Sequence, residues 1–348
     1  MVLPHTYGAA LFLMILSMIC WGSWANTLKL SGKWRFELFY FDYSFGVILT
    51  AVIAALTFGS LGFDGFLFRD DLLHTGLRQI FYGAVAGVIF NLANMLLVAA
   101  ISVAGLAVAF PVGVGLALII GVIWNYFIKP QGNPVLLFTG VAIIVVAIIA
   151  DAMAYRSHEA AKLQAEIVAG KTKSTKRKVP FKGILLSLIG GVFMGSFYPL
   201  VEMGKAGEVG MGPYAIGFVF SLGLFFSTFV FNLFFMNLPV QGEPIELPAY
   251  LKGTLKQHLL GVLGGVIWCV GTLSNFVAAS AAGDLHVGPA ISYAFGQGAT
   301  MISALWGLLL WTEFAGADLR TKLLLGLMLV LFVTGLAMVS VAPLYAPK

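Results

Sequence analysis

Charge is what this sequence has least of. Asp, Glu, Lys and Arg make up 10% of its 348 residues, against about 25% in an average soluble domain, and residues 83–128 contain none of the four. No water-facing surface can be built from such a block, so an ordinary soluble domain is excluded. Cysteine is scarce as well: Cys20 and Cys269 each sit inside an apolar run, which gives no disulfide framework and reads as two packed thiols. Residues 1–10 lack the basic start of a cleavable signal peptide, and the first apolar run is long enough to span, so insertion by the spans themselves is expected. The clusters that a metal site, a nucleophile with its base or a dinucleotide fingerprint would need are missing, which points away from catalysis and implies no cofactor. The net charge of +5 does not read as nucleic-acid binding, because the basic residues gather in loops beside apolar runs without interleaved aromatics.

What is present is hydrophobic length. A membrane-spanning helix needs about 20 mostly apolar residues, and runs of that kind lie at 7–28, 38–62, 78–101, 104–127, 134–155, 181–203, 212–236, 257–280, 286–311 and 321–343. They show no period-two alternation and exceed the length of a barrel strand, about 10 residues. The expectation is therefore an all-α membrane protein of ten transmembrane helices, multi-pass in the cell membrane with the lipid bilayer as its solvent. Placing the segment 156–182 in the cytoplasm, with its eight Lys and Arg, puts fifteen of the twenty basic residues inside, among them Lys29, Lys33, Arg35, Lys252, Lys256, Arg320 and Lys322. Both termini then face out. The run Ala169-Gly170-Lys171-Thr172 in that segment suggests a phosphate loop, but Ala165 stands where the first Gly is required and no strand precedes it. It reads as a solvated basic linker.

An internal repeat organises the spans. Laid without a gap over residues 255–289, residues 77–111 pair Leu77 with Leu255, Arg78 with Lys256, Gln79 with Gln257, Gly83 with Gly261, Gly87 with Gly265, Gly105 with Gly283 and Pro111 with Pro289. A weaker echo pairs Gly22-Ser23 with Gly195-Ser196. The unit thus holds five spans, residues 1–155, joined by the linker 156–180 to a second unit, 181–348. Five is odd, so the second copy is inverted relative to the first. Inverted repeats recur in secondary transporters, which bind solute near the midplane and alternate access by rocking one bundle against the other.

Polar side chains at membrane depth are costly and mark candidate sites. Asn91 and Asn94 lie three apart on the third span, and the repeat sets Cys269 and Thr272 opposite them on the eighth, beside Trp268. Trp21, Trp24 and Asn26 on the first span, Tyr198 on the sixth, Asn275 on the eighth, and Tyr293 with Gln297 on the ninth complete the set. Aromatics with amides suit a flat heterocycle or a sugar ring, which offers a face to stack on and an edge to hydrogen-bond. An interhelical hydrogen bond is the alternative role for the amides, and the membrane interface for the aromatics. Candidate proton carriers are Asp42, Asp151 and Glu202, the carboxylates nearest the apolar core; a facilitator without coupling stays open. A receptor or scaffold is the alternative from another class.

The stretch GSWANTLKLSGKWRFELFYFDYSFGVILTAVIAALTFGSLG, residues 22–62, resembles the first hairpin of the ureide permease family: a Gly-Ser-Trp start, a short basic loop and the aromatic-Asp-Tyr of Phe41-Asp42-Tyr43. The likeness continues through Gly87, Asn94, Gly105 and Asn125-Tyr126-Phe127, then Trp306-Gly307 and Glu313-Phe314. Similar short motifs recur across the drug/metabolite transporter superfamily and its porters of glucose, ribose and rhamnose. The resemblance implies ten helices, a cytoplasmic central loop and proton-linked import of small neutral ureides or nucleobases such as allantoin and uracil. A sugar porter of the same architecture is the second reading.

Overall fold

The computed structural model describes residues 1–168, 181–239, 242–281 and 287–345, the side chains of Leu106, Ala107 and Phe110 excepted. Among these residues all regular structure is helical. In chain order the helices are α1 (Tyr7–Ser23), α2 (Ala25–Leu30), α3 (Phe36–Leu56), the short α4 (Phe68–His74), α5 (Leu77–Ala104), α6 (Leu106–Ile128) and α7 (Pro134–Val168). Then come α8 (Phe181–Lys205), α9 (Pro213–Asn237), α10 (Leu255–Ala278), α11 (Pro289–Gly296), α12 (Ala299–Leu309) and α13 (Leu319–Val341). Local chemistry sets several ends. Thr254 and Gln257 form a reciprocal capping box at α10, the Asp318 carboxylate accepts the Thr321 N–H at α13, and Gly105, at φ 81°, turns the chain between α5 and α6.

Nine helices among the described residues are long and apolar enough to cross a membrane, α1 and α2 counting as one. Where the ninth span is expected, at residues 286–311, two shorter helices stand in place of one. There the chain forms α11 and α12, each too short to cross alone, joined through Gln297 and Gly298. Gly296 and Gly298 lower helix propensity at that point, and the ladder tightens into 3-10 bonds, Gly298 N–H to the Phe295 carbonyl and Thr300 N–H to that of Gln297. A second difference lies in α7, which continues to Val168 instead of ending near 155. Its extension, rich in Ala, Glu, Lys and Gln, consists of good helix formers. The rest of the basic linker, with residues 169–172 and Lys176, lies outside the described residues.

Large apolar side chains such as Phe12, Ile53, Phe81, Phe226, Val230 and Val333 are exposed on the outside of the bundle, so helix contact inside depends on close packing. Glycines set it. A Cβ on Gly87 of α5 would stand 2.0 Å from the Phe220 carbonyl oxygen of α9, and one on Gly265 of α10 would stand 2.0 Å from that of Tyr43 in α3. Reciprocally, a Cβ on Gly223 would meet the Ala84 carbonyl oxygen at 2.1 Å, and one on Gly46 that of Val262 at 2.1 Å. The α5–α9 and α10–α3 contacts therefore have the same geometry. Elsewhere α8 packs on α5 and α6, α10 packs on α1, and α7 packs on α13.

Candidate functional site

The glycine-backed approach of α10 to α3 brings large rings together at mid-bundle. Trp268, 4% exposed, lies between Phe90 at 4.5 Å, Phe220 at 6.1 Å and Tyr43 at 6.2 Å between ring centroids. Tyr43 in turn stacks on Tyr40 at 4.8 Å and meets Trp24 at 5.0 Å. These offset and tilted arrangements are the ones that ring quadrupoles favour.

Beside this aromatic wall runs a polar network built on Asn275, which is fully buried. Its amide donates to Ser17 Oγ (3.1 Å) and the Ser292 carbonyl (2.9 Å), and its oxygen accepts from Tyr198 (2.7 Å) and Ser292 Oγ (3.0 Å). One turn along α10, Thr272 Oγ1 accepts the Trp21 indole N–H at 3.0 Å and donates to the Trp268 carbonyl at 3.1 Å. Tyr293 donates toward the Ala117 and Met194 carbonyls at 3.3 Å and packs on Tyr198 at 5.2 Å. The structure thus brings Trp21, Tyr198, Trp268, Thr272, Asn275 and Tyr293 into one neighbourhood.

The other sequence-predicted residues face elsewhere. Asn91 turns to α9, donating to the Leu224 carbonyl, Ser227 and Thr228, while its oxygen has no partner among the described residues. Asn94 turns to α3 and donates to Tyr40 at 3.0 Å. Asn26, at the start of α2, accepts from the Trp311 indole at 2.6 Å. Gln297, half-buried, is the joint between α11 and α12.

The three candidate proton carriers occupy three separate clusters. Asp42 of α3 accepts from Tyr250 at 2.5 Å and pairs with His258 Nδ1 of α10 at 2.8 Å. Burial, reinforced by the Asp42 carboxylate, holds the Tyr250 hydroxyl above its ordinary range. Asp151 of α7 is buried with one oxygen unpartnered among the described residues. Near it, Glu313 binds Lys29 (2.5 Å) and Tyr155 (3.0 Å) by its carboxylate and His158 (2.9 Å) by its carbonyl, tying the α12–α13 loop to α2 and α7. Glu202 is ion-paired with Lys205 three residues along α8, at 2.7 Å. Nearby, Lys129 is pulled below its ordinary range by burial and by the Lys205 charge, Glu202 opposing.

Sequence reading missed His258, Tyr250, Tyr155, His158, Ser17 and Ser292. It also passed over Asn232, whose place in the apolar run Phe229–Phe235 carries the same signal as that of Asn91. Asn232 lines a cavity of about 420 Å³ between the ends of α3, α5 and α9, with Arg35, Phe36, Met95 and Ser102. A second cavity, about 360 Å³, lies at the opposite end beside Lys129, Glu202 and Lys205. Among the described residues no three His, Cys, Asp or Glu side chains converge as a metal site requires. The chemistry available is stacking, hydrogen bonding and proton exchange.

Known proteins are similar along nearly the whole chain. The sequence model of the Ureide permease family matches residues 39–180 and 178–342. Ureide permease 2 of Arabidopsis thaliana is 25% identical, covering 97% of this chain and 98% of its own. Ureide permease 1 of the same plant is 24% identical, covering 97% of each. The probable ureide permease A3 of Vigna unguiculata is 22% identical, covering 92% of this chain and 99% of its own. One crystal structure superposes with a TM-score of 0.63 at 15% identity, over 96% of this chain and 98% of that one; this likeness concerns the fold alone.

Proposed function

Because the chain belongs to the ureide permease family, and is accordingly a multi-pass membrane transporter and not an enzyme, we propose that it imports a small neutral ureide or nucleobase, such as allantoin or uracil, by alternating access driven by protons. The observation that carries this reading is the match to ureide permeases over 97% of the chain, which favours it over the sugar porter. Ten crossings, as two inverted five-helix units at 1–155 and 181–348 about the linker 156–180, are the architecture we propose for it, α11 and α12 together making one crossing. In support, Tyr7 near the N-terminus donates to the Ser340 carbonyl, and Asn133 donates to that of Tyr345 near the C-terminus at 3.1 Å, so both chain ends meet at one end of the bundle. An even number of crossings does that. The equivalent glycine contacts of α5 on α9 and α10 on α3 also support the inversion.

In this reading the solute's ring lies against Trp268, and its polar edge exchanges with the contacts among Trp21, Tyr198, Thr272, Asn275 and Tyr293. Trp24, Asn26, Asn91, Asn94 and Gln297 then line the routes in and out. Asp42, Asp151 and Glu202 are the proton carriers proposed. Asp42 has the most direct support, since its pairing with His258 spans the two units and is sensitive to the protonation of either partner. The reading is tested by uptake of labelled allantoin and uracil into vesicles reconstituted with the protein, with and without an inward proton gradient. Gradient-driven accumulation is expected, lost in Asp42→Asn while counterflow exchange continues. No flux of any ureide or nucleobase would overturn the substrate, and accumulation intact in Asp42→Asn, Asp151→Asn and Glu202→Gln alike would overturn the coupling.

A further inference from the structure

Resting on the transporter reading above but on a different part of the molecule, we propose that the cavity between the ends of α3, α5 and α9 is a second solute site. The ligand it would take is a compact, neutral ring rich in N–H groups, the class of cyclic ureas and imides. Its volume, about 420 Å³, lies within the range that small-molecule sites occupy, roughly 300–1,000 Å³. The charges that the described residues place on its wall neutralise each other: Arg35 donates to Glu37 through Nε (3.1 Å) and a terminal nitrogen (2.5 Å), and through the other to the Glu243 carbonyl (2.7 Å). An anion would have to displace that carboxylate. A neutral solute need not.

Asn232 supplies the selectivity. Its side chain is 1% exposed, its amide N–H₂ donates to the Glu37 carbonyl at 2.7 Å, and its oxygen has no partner among the described residues. That donation fixes which way the amide points, because turning it would set oxygen against oxygen. The unmatched group is therefore an acceptor, closed off from the cavity in this conformation, and an unpaired buried acceptor is a standing demand for a donor that a shift of the Asn232 side chain would admit. One turn toward mid-bundle on α9, Thr228 receives the Asn91 amide, which leaves the Asn91 oxygen unpartnered by the same logic. Ser102, on the cavity wall, uses its hydroxyl hydrogen on the Ala99 carbonyl at 2.8 Å and so also presents oxygen. The remaining wall, with Phe36 and Met95, suits the face of a ring. Phe36 packs on Tyr40 at 5.0 Å, and Tyr40 takes the Asn94 amide; the cavity ends where the central aromatic wall begins.

The test uses the full chain with Cys20→Ala and Cys269→Ala, carrying Val98→Cys on the cavity wall, and follows the rate of methanethiosulfonate labelling. Hydantoin, a cyclic urea, and 1,3-dimethylhydantoin, its analogue without N–H, are the probes. Hydantoin at about ten times its dissociation constant is expected to slow labelling about tenfold, since about a tenth of sites then stay free, while the dimethyl analogue leaves the rate unchanged. Adding Asn232→Leu should abolish that preference, and Ala99→Phe, which fills the cavity without removing a hydrogen bond, should abolish protection. Equal protection by both probes, or protection by neither, would overturn the site. Ureide uptake by the unmodified protein is measured in parallel: uptake without protection sinks this site alone, whereas protection without uptake sustains it and removes the proposed transport substrate.

Discussion

Asn275 satisfies both ends of its amide with protein groups, two donations and two acceptances reaching α1, α8 and α11. Removing such a hub leaves buried partners unpaired, a loss of about 1–3 kcal/mol. Asn275→Leu is therefore expected to lower the thermal unfolding midpoint in detergent, and Tyr198→Phe to lower it less, since Ser292 still bonds the amide oxygen. An unchanged midpoint with lost ureide binding would mean that the amide is held for solute and not for the fold. Polar residues in apolar runs are legible in the sequence, where Asn91, Asn94 and Asn275 stand out by residue type alone. Their partners are not. His258 is 216 residues from Asp42 and Ser17 is 258 from Asn275, and a serine in a membrane helix is too common to signal by itself. The direction in which an amide points is equally hidden: Asn91 and Asn94, three apart, serve different neighbouring helices.

At the scale of the helix, hydrophobic length placed nine of the crossings, because burying about 20 apolar residues in lipid leaves little choice of conformation. Length alone does not show the joint at Gln297–Gly298, where the hydrogen-bond ladder tightens into 3-10 bonds within a continuous apolar run. The glycine contacts of α8 on α6 and of α1 on α12 show why. A Cβ on Gly195 would meet the Ala117 carbonyl and Ile120, and one on Gly22 would meet the Ala299 carbonyl and Ile302. Ala299 lies 182 residues beyond Ala117, whereas Pro289 lies 178 beyond Pro111, so the later segment carries four extra residues, about one helical turn. The joint at Gln297–Gly298 absorbs them. The paired glycines, legible as a repeated pattern, have a testable role in packing: Gly87→Ala and Gly265→Ala each push a methyl into a carbonyl oxygen, an overpacking cost of about 1–3 kcal/mol or more. Gly115→Ala, with nothing within 4 Å of the new methyl, should be neutral or slightly stabilising. Folded yield by fluorescence-detected size exclusion separates these outcomes, and a Gly87→Ala protein as stable as Gly115→Ala would mean that α5 and α9 can move apart freely.

Over the whole molecule, orientation and the number of crossings are tied together by where the termini stand. Among the described residues the Lys and Arg are unevenly divided between the two ends of the bundle, ten of the fourteen falling at the end that carries Lys33, and cytoplasmic loops are the ones enriched in Lys and Arg. That end is therefore expected to face the cytoplasm. If α11 and α12 cross as one, the count is even and the two termini share the outer face, as the Tyr7–Ser340 contact requires; a re-entrant pair would make it odd and part the termini. Single cysteines at four exposed positions, in a background without Cys20 and Cys269, decide between these. His5→Cys, Glu208→Cys and Leu344→Cys should react with an impermeant maleimide in intact cells, and Lys33→Cys only after the membrane is permeabilised. Labelling of Lys33→Cys from outside with none at Glu208→Cys would reverse the orientation while keeping the fold. Labelling at His5→Cys but not at Leu344→Cys would leave nine crossings, and two inverted units of five could not then be maintained.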